Sequence, residues 1–192
     1  MSHTPGIANP KSNVHLPPDA AGLRRAVESG LGDAVVAVAQ LGERFRAADH
    51  ELALVGGCVR DFLSGRSGSD LDLTTDARPE EILALLRGWA DQTWEVGIKF
   101  GTVGARRDGY CFEITTYRSE AYEPGSRKPH VAYGESLSDD LARRDFTLNA
   151  MAIRLPELEF VDEHRGLEDL AARRLRTPSS PEQSFNDDPL RM

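Results

Sequence analysis

Apolar residues at Leu31, Val35, Val38, Leu41 and Phe45 recur every three or four positions. That spacing lines one face of a helix, so Leu23 to about Ala48 is predicted to be an amphipathic helix. The pattern then changes: Glu51-Leu52-Ala53-Leu54-Val55 is a short apolar run stopped by Gly56-Gly57, and Cys58 to Leu63 resumes helical spacing before Ser64-Gly65. A strand, a glycine turn and a helix follow from that order. Asp70 to Thr74 alternates as a strand does, and Pro79-Glu80-Glu81 opens a helix through Trp89, with proline and acids where a first turn favours them. Thr102 to Arg106 and Tyr110 to Thr116 flank Arg107-Asp108-Gly109, whose Asp-Gly suits a hairpin turn. Ser119 to Glu135 mixes proline, glycine and charge without period and is predicted to be a long loop. Ser136 to Ala150 reads as helix, and Met151 to Leu155 with Glu159 to Val161 as another hairpin. Internal repeats are absent, and the elements mix α and β.

Composition refines the domain picture. With 192 residues, 40% apolar and 28% charged, the chain has globular composition and room for one domain plus a tail or the start of a second. Prolines at 5, 10, 17 and 18 and the lack of period mark residues 1–20 as a disordered arm, with 21–177 as the folded domain. The last segment, 178–192, runs through Asp187-Asp188 into Pro189-Leu190-Arg191, a helix start with nothing after it, and is expected to be the cut beginning of a further domain. The net charge of -8 means that any contact with nucleic acid has to be local. Cys58 and Cys111 form neither a disulfide framework nor a zinc pair, the five histidines lack ligand spacing, and a reduced, cytoplasmic setting fits best. The sequence holds no apolar run near the roughly 20 residues that cross a bilayer, and no membrane partner is expected.

The chemistry concentrates in Gly68-Ser69-Asp70-Leu71-Asp72-Leu73-Thr74. Residues two apart in a strand face one side, so Asp70 and Asp72 project together while Leu71 and Leu73 face the core. Two adjacent carboxylates repel unless a divalent cation takes an oxygen from each, an oxygen-rich environment of the kind magnesium (Mg2+) prefers. Glu113 has the matching parity on a neighbouring strand and is a third candidate. A solvated strand face explains the same residues more plainly. The Gly56-Gly57 turn offers backbone N–H groups to an anion, with Arg60 on the first turn of the next helix, although a tight connection alone would also use glycines. Downstream, Arg144, Asp145 and Asn149 carry groups suited to phosphate and ribose, Asp145 and Asn149 lying one helical turn apart; an ordinary surface ion pair is the alternative. Asp188 and Arg191, three apart, can present an acceptor and a donor to one ligand edge or simply pair with each other.

Taken in order, "LVGGCVRDFLSGRSGSDLDLTTDA", "EITTYR", "DDLARRDFTLNAMA", "FVDEHRGLEDLAARRLRTP" and "DDPLRM" resemble the catalytic head of the class II tRNA nucleotidyltransferases, the CCA-adding enzymes, and of the closely similar bacterial poly(A) polymerases. The match spans about Glu51 to Met192. The resemblance implies an α+β fold like the nucleotidyltransferase palm of DNA polymerase beta, a mixed sheet flanked by helices with its site on the open face. It implies Mg2+ at Asp70 and Asp72, phosphate contacts at Gly57 and Arg60, and triphosphate and ribose contacts at Arg144, Asp145 and Asn149. Asp188 and Arg191 match the pair that reads the base edges of CTP and ATP, and Asp162, Gly166 and Asp169-Leu170 match a hinge-like block. The implied reaction is template-independent, two-metal transfer of CMP and AMP to the 3′ end of tRNA with release of pyrophosphate. The base-reading block departs from the family in starting Asp187-Asp188 rather than Glu-Asp, and the chain stops one residue past Arg191. Without neck, body and tail, most of the tRNA cradle would be absent. Addition of ATP alone, as in a poly(A) polymerase, and a nucleotide-binding fragment without turnover are the competing expectations.

Overall fold

A computed structural model of the chain describes residues 19–95, 97–121, 130–134, 136–182 and 184. The expected arm therefore lies outside the described residues except for its last two positions, and most of 178–192 lies outside them too. Asp19 caps the first described helix, its carboxylate accepting from the Gly22 amide at 2.7 Å, so helix α1 (Ala20–Leu31) begins earlier than the apolar period indicated. The single helix expected to run to Ala48 is two: the backbone turns at Gly32, with φ 53, and α2 (Ala34–Ala47) follows. After β1 (Leu52–Val55) come α3 (Gly57–Leu63), β2 (Asp70–Thr75) and α4 (Pro79–Leu86), the last stopping short of Trp89.

β3 (Gln92–Trp94), too short to show a period, pairs with β4 (Thr102–Arg107), which forms the expected hairpin with β5 (Tyr110–Thr116). The segment read as a long loop contains an antiparallel pair, β6 (Arg118–Ala121) with β7 (His130–Tyr133). The helix expected over 136–150 is also broken. α5 (Leu137–Ala142) ends, the Asp145 carboxylate takes the Phe146 amide at 2.7 Å, and the Thr147 amide donates to the Arg176 carbonyl at 2.8 Å, leaving only a 3-10 turn at Thr147–Asn149. A local side-chain acceptor and a backbone carbonyl distant in sequence have displaced the helical ladder. β8 (Ala152–Arg154) and β9 (Glu159–Val161) form the expected hairpin, and α6 (Gly166–Ala172) closes the described fold.

Seven strands form one sheet in the order β3-β4-β5-β2-β1-β8-β9, parallel only between β2 and β5, which confirms the α+β expectation. One face is sealed by α1 to α4: Leu71, Leu73, Phe112 and Ile114 of β2 and β5 are buried in the same cluster as Val27, Leu41, Phe45, Phe62 and Ile82. The other face has a smaller apolar patch, in which Leu137 and Leu141 of α5 cover Ala53, Val55 and Ala152. The patch covers β1 and β8 and leaves the acids of β2 and β5 exposed.

Candidate active site

The register of β2 on β5 places Asp70 opposite Cys111 and Asp72 opposite Glu113. Paired residues on adjacent strands face the same side. Asp70, Asp72 and Glu113 are exposed on that side, while Leu71, Leu73, Phe112 and Ile114, one position away, are at most 1% exposed. Partial burial pushes the Asp72 carboxyl above its ordinary value, the charges of Glu113 and Asp70 push it further, and the Arg144 guanidinium opposes them. A strained concentration of negative charge thus sits on an otherwise ordinary sheet.

The turn after β1 brings bare backbone to this spot. Gly56 has φ 76, where an L side chain is strained, and a Cβ there would lie 3.3 Å from Arg144 Nη1 and 3.9 Å from Asp72 Oδ2. Beneath the turn, the Cys58 thiol donates to the Val55 carbonyl at 3.1 Å and lies 3.7 Å from the Asp72 carbonyl; burial pushes its pKa up to about 11, so it remains a thiol. Arg60, near Gly57, donates from Nη1 to Asn149 Oδ1 at 2.8 Å, and Asn149 Nδ2 donates to Asp145 Oδ1 at 3.0 Å. Three segments distant in sequence meet here: the β1–α3 turn, the β2–β5 acids and the 143–149 segment.

Asp140, which sequence reasoning did not single out, holds this meeting in place. Only 1% exposed, its carboxylate accepts from Arg144 Nη2 at 2.8 Å, approaches Arg143 Nη2 at 3.3 Å and accepts from the Arg118 amide at 3.3 Å. Burial alone would raise its pKa, but Arg144 and then Arg143 outweigh burial and hold the carboxyl below its ordinary value. Arg144 Nε is buried without a hydrogen-bond partner among the described residues. A half-fastened guanidinium of this kind has donor capacity left for an anion. The sequence signal was present in the acid three and four positions ahead of Arg143 and Arg144.

A family model for the poly(A) polymerase head domain matches residues 52–176. The chain belongs to that family. The CCA-adding enzyme of Anoxybacillus flavithermus (strain DSM 21510 / WK1) is 40% identical over 151 residues, which cover 78% of this chain and 37% of the relative. The crystal structure of Bacillus stearothermophilus CCA-adding enzyme in complex with CTP is 34% identical, with a TM-score of 0.69 over 85% of this chain and 37% of that one. A tRNA nucleotidyltransferase complexed with a primer tRNA and an incoming ATP analogue is 31% identical, with a TM-score of 0.64 over 79% of this chain and 42% of that one. The chain spans a little over a third of the length of the curated relatives it matches.

In this head domain the block matched to a hinge has a visible structural task. The Asp162 carboxylate accepts from the amides of Gly166 and Leu167 at 2.7 and 2.9 Å, and buried Asp169 accepts from Thr147 Oγ1 at 2.6 Å and from Arg176 Nε at 2.8 Å. A Cβ on Gly166 would come within 2.2 Å of the Thr147 carbonyl oxygen, so α6 lies directly against the turn that carries Asn149. Of the residues predicted for the site, Gly56 meets Arg144 and Asp72, Asp70 and Glu113 share the face of Asp72, and Arg60, beside Gly57, is linked through Asn149 to Asp145; Asp188 and Arg191 lie outside the described residues. No three acids, histidines or cysteines among the described residues are arranged to enclose a cation by themselves. That is compatible with magnesium, which keeps several waters and is commonly held by one or two carboxylates together with substrate phosphates. The all-oxygen donor set of Asp70 and Asp72 fits such a hard ion. Among the described residues, no helix is long and apolar enough to cross a membrane.

Proposed function

We propose that this chain is the catalytic head of a cytoplasmic CCA-adding tRNA nucleotidyltransferase, which transfers CMP and then AMP from CTP and ATP to the 3′ end of tRNA and releases pyrophosphate. The observation that carries the reading is the meeting of the paired acids with the Gly56 backbone and the Arg144 guanidinium, 3.3 Å from the position of a Gly56 Cβ. Bound Mg2+ would supply Lewis acidity for the attacking hydroxyl and the triphosphate, held by Asp70 and Asp72 with Glu113 beside them. Arg144, anchored by Asp140, and Arg60, anchored by Asn149, orient phosphate oxygens, and the Gly56-Gly57 backbone admits them closely because no side chain intervenes. Asp145 and Asn149 turn toward the ribose. Asp188 and Arg191 are assigned the base edges. Little covalent work falls to the protein in phosphoryl transfer, so positioning and charge are the contributions expected of these residues.

A relative bearing the CCA-adding name at 40% identity supports CTP and ATP as substrates. The family description favours a second reading, addition of ATP alone. Both are decided by offering tRNA that lacks CCA with labelled CTP, ATP or the pair. Two C additions followed by one A is the expected product; a run of A from ATP alone would assign poly(A) synthesis, and the absence of both nucleotide binding and extension would remove the transferase reading.

A further inference from the structure

Trp94 of β3 pairs with Gly104 of β4, Gly104 with Glu113 of β5, and Glu113 with Asp72 of β2. These residues form one row across the sheet and face the same side. The indole fills the space that Gly104 leaves: Trp94 Cε2 and Nε1 both lie 2.0 Å from where a Gly104 Cβ would be. Any other residue at 104 would push the ring off. The adjacent row runs Gln92, Arg106, Cys111, Asp70, so an exposed guanidinium, with Nη2 3.7 Å from Cys111 Sγ, stands one row along on the same face. The row thus ends in a half-buried aromatic with a cation in the adjoining row, in a chain whose net charge is strongly negative.

The proposed site fixes which part of the substrate this end would receive. Arg60, Arg144 and the Gly56-Gly57 turn lie on the β1 flank of β2, and Trp94 lies beyond β5 on the opposite flank. In-line transfer needs the attacking hydroxyl on the side away from the departing pyrophosphate. If the triphosphate sits toward β1, the RNA terminus enters over β5 and β4. Gly104 is two strands from Asp72, roughly 10 Å, which leaves space for a ribose at the acids and its base on the indole.

We propose that Trp94, seated on Gly104, is the stacking platform for the 3′-terminal base of the RNA primer, with Arg106 meeting the adjoining phosphate. This inference rests on the transferase reading. Stacking on an aromatic tolerates any base, as a site must that accepts successive different termini. The chain has two tryptophans, and the other, Trp89, is buried at 5% exposure, so RNA contact would report through Trp94.

The test is fluorescence titration of the chain with a short single-stranded RNA ending in CC-3′OH, alongside steady-state extension kinetics. Saturable quenching is expected in the parent and absent in Trp94→Phe, and Trp94→Leu should raise the KM for RNA roughly tenfold while the KM for CTP stays within about twofold. Partial recovery of the RNA KM in Trp94→Phe would separate stacking from simple edge packing. Emission unmoved by RNA, quenching by CTP alone, or equal rises in both KM values would overturn the platform. Should Trp94→Leu not fold, the titrations of the parent and Trp94→Phe decide. Extension by the parent with an unchanged RNA KM in Trp94→Leu sinks the platform and leaves the transferase standing; a parent that binds no nucleotide and extends nothing removes both.

Discussion

The two faces of β2 and β5 are made from the same residues in alternation, yet they do different work. Toward α1 to α4, Leu71, Leu73, Phe112 and Ile114 are almost wholly removed from water; one residue along, Asp70, Asp72 and Glu113 are left in it. The first face lowers the free energy of the fold through apolar burial. The second raises it, because like charges are crowded where Asp72 already carries an elevated pKa. Removing a residue from one face should therefore cost stability and spare chemistry, and removing one from the other should do the reverse.

The largest effect is expected at Asp72. Asp72→Asn should slow nucleotide transfer by roughly a thousandfold or more, while the free energy of unfolding in urea stays within about 0.5 kcal/mol of the parent or rises. A matching loss of stability would break the division between faces. Next comes Leu73→Ala, at 1% exposure, which should destabilise by about 2–5 kcal/mol in the same unfolding experiment while each folded molecule keeps most of its nucleotide binding. Gly166→Ala tests the support under the open face: a Cβ 2.2 Å from the Thr147 carbonyl should cost about 2–3 kcal/mol and weaken nucleotide binding through Asn149, both read by calorimetry.

The smallest of the four effects is at Asp140. Asp140→Asn should cost about 2 kcal/mol at neutral pH, since its arginine partners keep some contact with water, and should raise the KM for nucleotide by loosening Arg144. Its pH dependence has a defined sign. The folded-state pKa lies below the ordinary value of 3.8, so between the two the unfolded chain binds more protons. The stabilisation is present above 3.8 and lost as pH falls through the depressed value. The gap in melting temperature between parent and Asp140→Asn should be level from pH 7 to about 5 and close under acid.

Periodicity made the alternating strands legible, and with them the shared side of Asp70, Asp72 and Glu113. The four-residue spacing of Asp145 and Asn149 also survived, although the turn between them is not α-helical. What the sequence concealed were competing claims on backbone groups. The period from Ser136 to Ala150 does not record that the Thr147 amide donates to a carbonyl at Arg176, nor the period from Leu23 to Ala48 that the chain turns at Gly32. Asp140 was not singled out because the Arg118 amide and the two arginines that surround its carboxylate come together only in the fold. β3 is three residues long, too short to show a period, and its partnership with the bare Gly104 is set by strand pairing that periodicity does not record.

The acids of β2 and the Gly56 turn are proposed to hold a nucleoside triphosphate together with magnesium. Calorimetric titration of a non-hydrolysable CTP analogue into the parent and into Asp72→Asn, each with magnesium and with EDTA, addresses it most directly. Tight binding is expected for the parent with magnesium, weakened by EDTA, and weak binding for the variant that magnesium does not improve. Equal affinity in all four titrations would contradict it.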